Sequence, residues 1–454
     1  MQYKSIKYFT VILFVLGFVN TKAQQDLTLY NMPAIQQSMY ANPSQMPQSK
    51  INIGLPVLSS VYFNLGNSGF RVTDLIKSGP GDSNHIDVNN MLSKLSKSNY
   101  ISQTLQIDLL SFGIRLFEKN YFSFSIVEKE YINFSYPKNF LDWVWQGNGA
   151  FLGQNMNFNF GLNVIHYREY GIGYVRQISD KLTVGGKLKY LYGMEDISAQ
   201  NNNFTFNTDA TDYGYTTNDN VNVNTSGFGP GTGSNFQSPD YWLNRKNTGM
   251  AVDLGATYKL NDKFTFSASL IDLGYINWRS YTSNYTSNGA FNFDGVDITQ
   301  FTKGDTNAFN KLTDSAKNAF NVKTQHKSYT TSLPAQVYLG ANYKLSEKAN
   351  AGLLLYGQFF NNILVPAISA SYNLKLTNWF SVSAAYTIMN RDATNVGVGF
   401  AVTGPVQFYL VTDNVIGFFL PQEVKTVNVR FGVNLCFGRK SPKAASDSTK
   451  ASFQ

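Results

Sequence analysis

A strict two-residue alternation runs through V-N-V-R-F-G-V-N-L-C-F at 427–437. Val427, Val429, Phe431, Val433, Leu435 and Phe437 are apolar, and Asn428, Arg430, Gly432, Asn434 and Cys436 between them are polar or small. Successive side chains of a strand point to opposite faces, so this segment carries one apolar face and one polar face that includes an arginine. A helix would scatter both sets around its axis. The eleven residues match the length a tilted strand needs to cross a bilayer. An edge strand of a soluble sandwich fits this segment alone equally well, so recurrence of the pattern has to decide.

The pattern does recur. In 51–65, Ile51, Ile53, Leu55, Val57, Val61, Phe63 and Leu65 face one way, with Asn52, Gly54, Ser60 and Asn64 opposite, which predicts one strand. In 105–116 the apolar parity shifts between Leu109 and Leu110, as a bulge would cause, and the corner Glu118-Lys119-Asn120 leads into 121–134. Short turns also fall at 179–181, 261–263, 346–348, 376–378 and 403–405. Between them lie long connections, 66–103, 135–154, 194–247 and 277–333, rich in Asn, Thr, Ser, Gly and Tyr. Runs start near Ile51, Leu105, Tyr121, Asn155, Leu182, Thr248, Phe264, Pro334, Ala349, Leu364, Trp379, Asn395, Val406 and Lys425, fourteen in all. Stretch 155–178 is overlong and reads as a kinked strand with an insert or as a strand plus an inner piece; sixteen strands is the alternative.

Short connections on one side and long ones on the other are the asymmetry of an outer-membrane barrel, with the long loops outside. The expected fold is therefore all-β: a 14-stranded antiparallel transmembrane β-barrel over 51–438. Composition supports this, since Tyr and Phe supply 28 and 35 residues while only 15% are charged, as aromatic girdles around a polar interior require. The start of the chain reads as an export signal over 1–23, with Lys4 and Lys7 before the apolar run 9–19, small residues at Thr21 and Ala23, and cleavage expected before Gln24. Removing Lys4, Lys7 and Lys22 lowers the net charge from +8 to +5, too dispersed an excess to imply nucleic acid. The lone Cys436 lies on the polar face and reads as a small filler. A polar periplasmic tail is expected at 439–454.

Segment 24–50 stands apart. Tyr30, Met32, Ile35, Met39 and Tyr40 make it too apolar for a free tail, and Pro33, Pro43 and Pro47 exclude a regular strand or long helix. Irregular backbone cannot face lipid, but it can sit in a polar lumen and bond to wall residues such as Asn428 or Asn434. A plug in the periplasmic half of the barrel is expected, packed against Gly397, Gly399, Ala401 and Gly432. A helical-looking stretch at 309–322 is placed over the outer mouth.

Catalytic chemistry has little to work with. His85 and His326 lie in long connections, His166 sits in the overlong fourth run, and no nucleophile elbow, H-E-x-x-H pair or Cys/His metal spacing is present. Neither an enzyme nor a cofactor or metal site is expected. Asp253 alternates with Val252 and Leu254 and so points inward. Asp272 falls on the apolar parity of Phe264, Phe266 and Leu270, which a carboxylate cannot occupy cheaply at mid-membrane, so it is expected at the outer rim or after a bulge, with Gly274 allowing the bend.

The segments N-I-G-L-P-V-L-S-S-V-Y-F-N (52–64), G-M-A-V-D-L-G-A-T-Y-K-L-N-D-K-F-T-F-S-A-S-L-I-D-L-G-Y-I-N-W (249–278) and V-T-D-N-V-I-G-F-F (411–419) resemble a family of uncharacterised Bacteroidota outer-membrane barrels. The resemblance covers nearly the whole mature chain, and D-L-G-Y-I-N-W at 272–278 is its most specific element. That family is similar in design to FadL-type transporters and to the PorV and PorP components of type IX secretion. The resemblance implies fourteen strands and an N-terminal segment in the lumen. Q-S-M-Y-A-N-P-S at 37–44 resembles that segment's Asn-Pro element, with Ser44 where alanine is usual. Ligand contacts are expected at Asn42, Pro43, Asp253, Asp272, Trp278 and Arg430. Two function classes follow: uptake or binding of a small hydrophobic ligand, or docking of a secreted or lipoprotein partner in an outer-membrane assembly. Outer-membrane lipid is a partner in both.

Overall fold

The computed structural model describes residues 26–78, 83–199, 202–211, 213–227, 241–242, 245–293, 319–360, 363–389 and 392–439. The expected export signal and nearly all of the polar tail fall outside them, as do residues 309–318 of the stretch placed over the mouth.

The chain folds into a closed 14-stranded antiparallel transmembrane β-barrel. Its strands are β1 (Ile51–Gly54, resumed at Val61–Asn67), β2 (Ser98–Leu116), β3 (Asn120–Pro137), β4 (Gly161–Gln177), β5 (Leu182–Ala199), β6 (Thr248–Lys259) and β7 (Phe264–Trp278). They continue with β8 (Ala335–Lys344), β9 (Ala349–Phe360), β10 (Ile363–Lys375), β11 (Phe380–Met389), β12 (Asp392–Thr403), β13 (Val406–Thr412) and β14 (Thr426–Phe437). Each pairs with its neighbours in sequence, and β14 closes on β1 with Ile51 opposite Phe437 and Val61 opposite Phe431. Closure leaves no unpaired edge in the wall, the condition for sheet to exist in lipid. No helix among the described residues is long and apolar enough to cross a membrane.

Alternation sets the two faces. In β14, Asn428, Arg430, Asn434 and Cys436 are buried inside, while Phe437 at the end of the opposite parity is exposed. Ile172, Leu188, Phe266 and Leu273 lie on the lipid face of other strands. On β3 and β4 that face changes from Ile126 and Tyr170 to Glu128, Arg168 and His166, which bond to one another (Arg168 Nε to Glu128 2.7 Å, His166 Nε2 to Glu128 2.7 Å). This switch from apolar to charged side chains marks the upper edge of the lipid band.

Two expectations are refined. The overlong run 155–178 contains one wall strand, β4, and a separate Met156–Asn157 that pairs outside the barrel, so the count stays at fourteen. The strand expected over 51–65 is interrupted. Pro56 lacks an N–H and Val57 has φ +65°, so residues 55–60 leave the ladder. Ser59 and Ser60 turn inward while Val57 and Leu58 stay outside. The wall remains satisfied because Val57 N donates to Asp108 O (2.9 Å), Asp108 N to Ser60 O (2.9 Å) and Val433 N to Leu58 O (2.8 Å).

The bulge expected near Leu109 is present, where the β2–β3 register shifts between Asp108 and Leu110. Above the barrel the long connections carry strands of their own. Asn203–Thr208, Tyr215–Ser226 and Thr282–Phe293 extend the sheet past the β5 and β7 ends.

Candidate functional site

The lumen is filled in layers from the short-turn end upward. The lowest layer is the N-terminal segment, which contains an α-helical turn at Leu27–Tyr30 and a 3-10 turn at Gln36–Tyr40. It joins β1 at the short-turn end, where Arg115 bonds to Pro47 O, and rises to mid-barrel at Asp26. Gln37 and Asn434 exchange amide hydrogen bonds in both directions at 3.0 Å, Gln407 donates to Ala34 O (2.8 Å), and Ser269 donates to Ala41 O (2.6 Å). Tyr30 donates to Ser267 (2.8 Å), and Thr28 N donates to Asp413 (2.7 Å). Of the two wall asparagines expected to hold the segment, Asn434 does; Asn428 instead accepts from Asp413 N (2.7 Å) and Thr412 (3.3 Å) within the wall.

Close packing needs small wall residues. A Cβ at Gly255 would sit 2.5 Å from Asn42 Oδ1 and 3.0 Å from Pro43 Cδ, and one at Gly397 or Gly399 would strike Thr28 or Met32. Ala401 packs with Leu29, Met32 and Ile35. Gly432 differs from the expectation, facing Ser59 of the β1 interruption rather than the plug.

Arg430 is the anchor of the segment. Its Nε and Nη2 donate to the two carboxylate oxygens of Asp26 at 2.7 Å each, Nη1 donates to Ser60 and Nη2 to Gln106, both at 2.7 Å. The guanidinium lies 4.5 Å from the Tyr62 ring centre, and its side chain is 1% exposed. A planar fork matched to a carboxylate in a dry setting is the strong form of an ion pair. Beside it Tyr40 donates to Asp108 (2.6 Å), tying the segment to the bulge of β2.

Above the plug, strands β3 to β7 bring six charged side chains together. Glu169 meets Lys187 (2.6 Å) and Lys129 (2.9 Å); Lys189 meets Asp253 (2.6 Å) and Asp272 (2.6 Å); Lys129 also meets Asp272 (3.2 Å). Three ammoniums against three carboxylates leave the cluster neutral, and each charge has a partner, as buried charges require. Asp253 points inward as expected. Asp272 is at neither rim. Ile271 and Asp272 together oppose Asp253 in a bulge, Asp272 takes φ +57°, and its carboxylate swings from the lipid parity into the cluster, with its N–H bonded to Asp253 (2.8 Å). Cavities of about 20 Å³ and about 30 Å³ between plug, cluster and wall have room for little more than a water each.

The next layer is apolar: Tyr131, Ile165, Tyr167, Leu191, Ile276 and Trp278 pack inside the upper barrel. Trp278 is fully buried and donates to Thr331 (2.7 Å). At the long-loop end Phe140 and Trp143, on the helix Lys138–Gln146, join an aromatic cluster. Ring centres are 4.9 Å apart for Phe140 and Phe160, 5.0 Å for Trp143 and Phe206, and 5.1 Å for Phe206 and Tyr215. The indole N–H of Trp143 is buried and has no hydrogen-bond partner among the described residues.

The six residues expected to contact a ligand thus fall in three places. Asn42 and Pro43 belong to the plug, where Asn42 Oδ1 accepts from Ser44 N (3.0 Å) and Pro43 packs on Gly255; Arg430, Asp253 and Asp272 are at mid-lumen; Trp278 is in the apolar layer. Sequence reasoning missed Lys129, Glu169, Lys187, Lys189 and Asp26. The first four carried a signal, charge on the lumen-facing parity of β3, β4 and β5; Asp26, at the start of the plug, carried none.

Among solved structures, the chain is similar to a FadL homologue of Pseudomonas aeruginosa, at 9% identity over 93% of this chain and 100% of the other, with a TM-score of 0.42. It is also similar to the Ralstonia pickettii toluene transporter TbuX, at 11% identity over 88% and 93%, TM-score 0.41. A third is the translocator domain of the autotransporter NalP from Neisseria meningitidis, at 8% identity over 92% and 100%, TM-score 0.33. No curated protein matches it in sequence. Residues 43–413 match the model of a family of unknown function, DUF5723, and the chain belongs to that family.

Proposed function

We propose that this protein is a non-enzymatic outer-membrane barrel that takes up or binds a small hydrophobic ligand. The aromatic cluster around Trp143 is the receiving surface, and the plug is the element that must move for passage. The observation that carries the reading is the character of the plug's attachment. It is held by hydrogen bonds and one ion pair to polar wall residues, contacts that water can replace when it moves, together with two apolar patches, Leu27 and Tyr30 against Ile271 and Leu354, and Leu29, Met32 and Ile35 against Ala401 and Val411. A buried indole N–H without a partner, set among rings, suits a ligand with an apolar body and one acceptor atom. On this reading a ligand passes Trp278, crosses the mid-lumen beside Asp253, Asp272 and Arg430, and meets Asn42 and Pro43 last. The docking alternative has no specific observation in its favour.

The test is accumulation of radiolabelled toluene and palmitate by cells with and without the barrel. The barrel should raise the initial rate for at least one probe, and Trp143→Ala with Phe206→Ala should abolish the gain. Equal rates for both probes with and without the barrel would overturn the reading.

A further inference from the structure

The short-turn mouth holds a second feature, unrelated to the aromatic cluster at the other end. A cavity of about 440 Å³, within the range of small-molecule sites, opens there beside the plug. Its apolar part is formed by Tyr30, Met32 and Pro33 of the plug. Its polar part is strongly one-signed: Lys263, Lys344, Lys348, Lys375 and Arg439 line it against the single carboxylate of Glu347.

The placement of these cations follows from strand parity. On β7 the lumen-facing positions run Ser267, Thr265 and then Lys263 at the turn; on β8, Asn342 and then Lys344; on β9, Asn350 preceded by Lys348; on β10, Asn373 and then Lys375. Four successive strands therefore end their inner faces on lysine. The outer faces at the same level carry Phe264, Tyr343 and Leu374, so the lysines are directed into the mouth and not toward lipid headgroups around the wall. The lysines are also adjacent in pairs. Lys344 N donates to Lys263 O (2.8 Å) and Lys375 N to Lys348 O (2.7 Å), which puts like charges on neighbouring strands, an unfavourable arrangement without an anion between them. Lys344 has Glu347 (2.5 Å), and Arg439 has only the neutral oxygens of Thr403 (3.2 Å) and Gln48 (2.7 Å). Among the described residues the ammoniums of Lys263, Lys348 and Lys375 have no ion-pair partner.

We propose that this mouth is a binding site for an anionic amphiphile, with the phosphate or carboxylate head held by Lys263, Lys348 and Lys375 and a short apolar body laid on Tyr30, Met32 and Pro33. The site stands independently of the uptake reading, because its residues lie at the opposite mouth from the aromatic cluster.

The experiment is equilibrium binding of decyl phosphate, decanoate, decanol and inorganic phosphate to the purified full chain in a neutral detergent, for wild type and for Lys263→Gln with Lys375→Gln. Both lysines are on the rim, so the variant keeps the barrel. Wild type should bind the better of the two charged decyl compounds on the order of tenfold more tightly than decanol, and the double variant should lose about that factor for the anion while leaving decanol unchanged. Preference for decyl phosphate points to a lipid headgroup and preference for decanoate to a free acid; either supports the site. Trp143→Ala should leave anion binding as it was. Decanol binding as tightly as the anions, inorganic phosphate binding as tightly as decyl phosphate, an unchanged double variant, or an equal loss in Trp143→Ala would each overturn the proposal.

Discussion

Replacing Asp26 by asparagine keeps the shape of the plug's anchor and removes its charge. In the docked state Arg430 would then be buried, 1% exposed, without a carboxylate. Removing one partner of a buried pair costs about 3–5 kcal/mol, and the low end applies here because Ser60 and Gln106 still accept from the guanidinium. Undocked, the arginine is hydrated and the penalty vanishes, so the whole cost falls on docking. At 1.4 kcal/mol per tenfold, about 3 kcal/mol raises the undocked fraction on the order of 100-fold. Single-channel recording in planar bilayers reads this directly as more frequent or longer open events in Asp26→Asn than in wild type. Adding Arg430→Gln removes the orphaned charge and should restore part of the closed time, a coupling that two independent weakenings would not show. Deletion of 26–48 sets the fully open level. If that deletion conducts while Asp26→Asn gates as wild type, the ion pair is not the anchor; if the deletion conducts no more than wild type, the segment is not the obstruction.

Gly255→Val should displace the plug at Asn42 and Pro43 and raise conductance with the barrel intact, checked by heat-modifiable migration on gels; unchanged conductance would show that the loop yields there instead. Val433→Arg on the lipid face should cost about 2–4 kcal/mol of barrel stability near the midplane in urea titration. Asn434→Arg should spare the barrel but break the amide pair with Gln37, so it should register as conductance; equal loss of barrel stability from both would refute the face assignment. Lys189→Met takes from Asp253 its ion pair and leaves Asp272 with Lys129 alone, and should destabilise the barrel by about 3–5 kcal/mol, measured by the same titration. Protease added to intact cells should cut within 194–247 or 277–333, and cuts confined to the turns at Asp180 or Asp262 would invert the topology.

Much of the wall was legible because a strand that faces lipid on one side and water on the other must alternate, and the alternation survives in single residues: the parity slip at Leu109 and Leu110 located a real bulge. Where legibility failed, backbone conformation had overridden parity. Asp272 sits on the apolar register of β7, and of the two placements expected for it, the outer rim or a bulge, the bulge is the one the chain adopts, with φ +57° turning the carboxylate inward; what D-L-G-Y-I-N-W does not say is at which residue the bulge falls. The β1 interruption is similar. Pro56 was visible, but the alternation of Leu55, Val57 and Val61 continues across it and reads as unbroken strand. The lumen cluster was unreadable for another reason. Its members sit on β3, β4, β5, β6 and β7, and which lysine meets which carboxylate depends on register between strands whose ends are set by the lengths of the turns.

The distribution of charge in the lumen separates two tasks. The mid-barrel cluster is neutral and internally paired, so it holds β3 to β7 to one another and needs no ion pair from the plug. Arg430 on β14 is different, since its only ion pair among the described residues is Asp26 of the plug. Leaving the lumen therefore exposes one unpaired cation on the wall and one anion on the departing segment, while the wall's own network stays whole. A plug tied through the neutral cluster could not leave without stranding charges that join five strands. Tied through Arg430, it breaks one charged pair that water resolvates, along with its hydrogen bonds and apolar contacts to the wall, and leaves the five-strand cluster intact, which is why the conductance of Asp26→Asn and the barrel stability of Lys189→Met should respond independently.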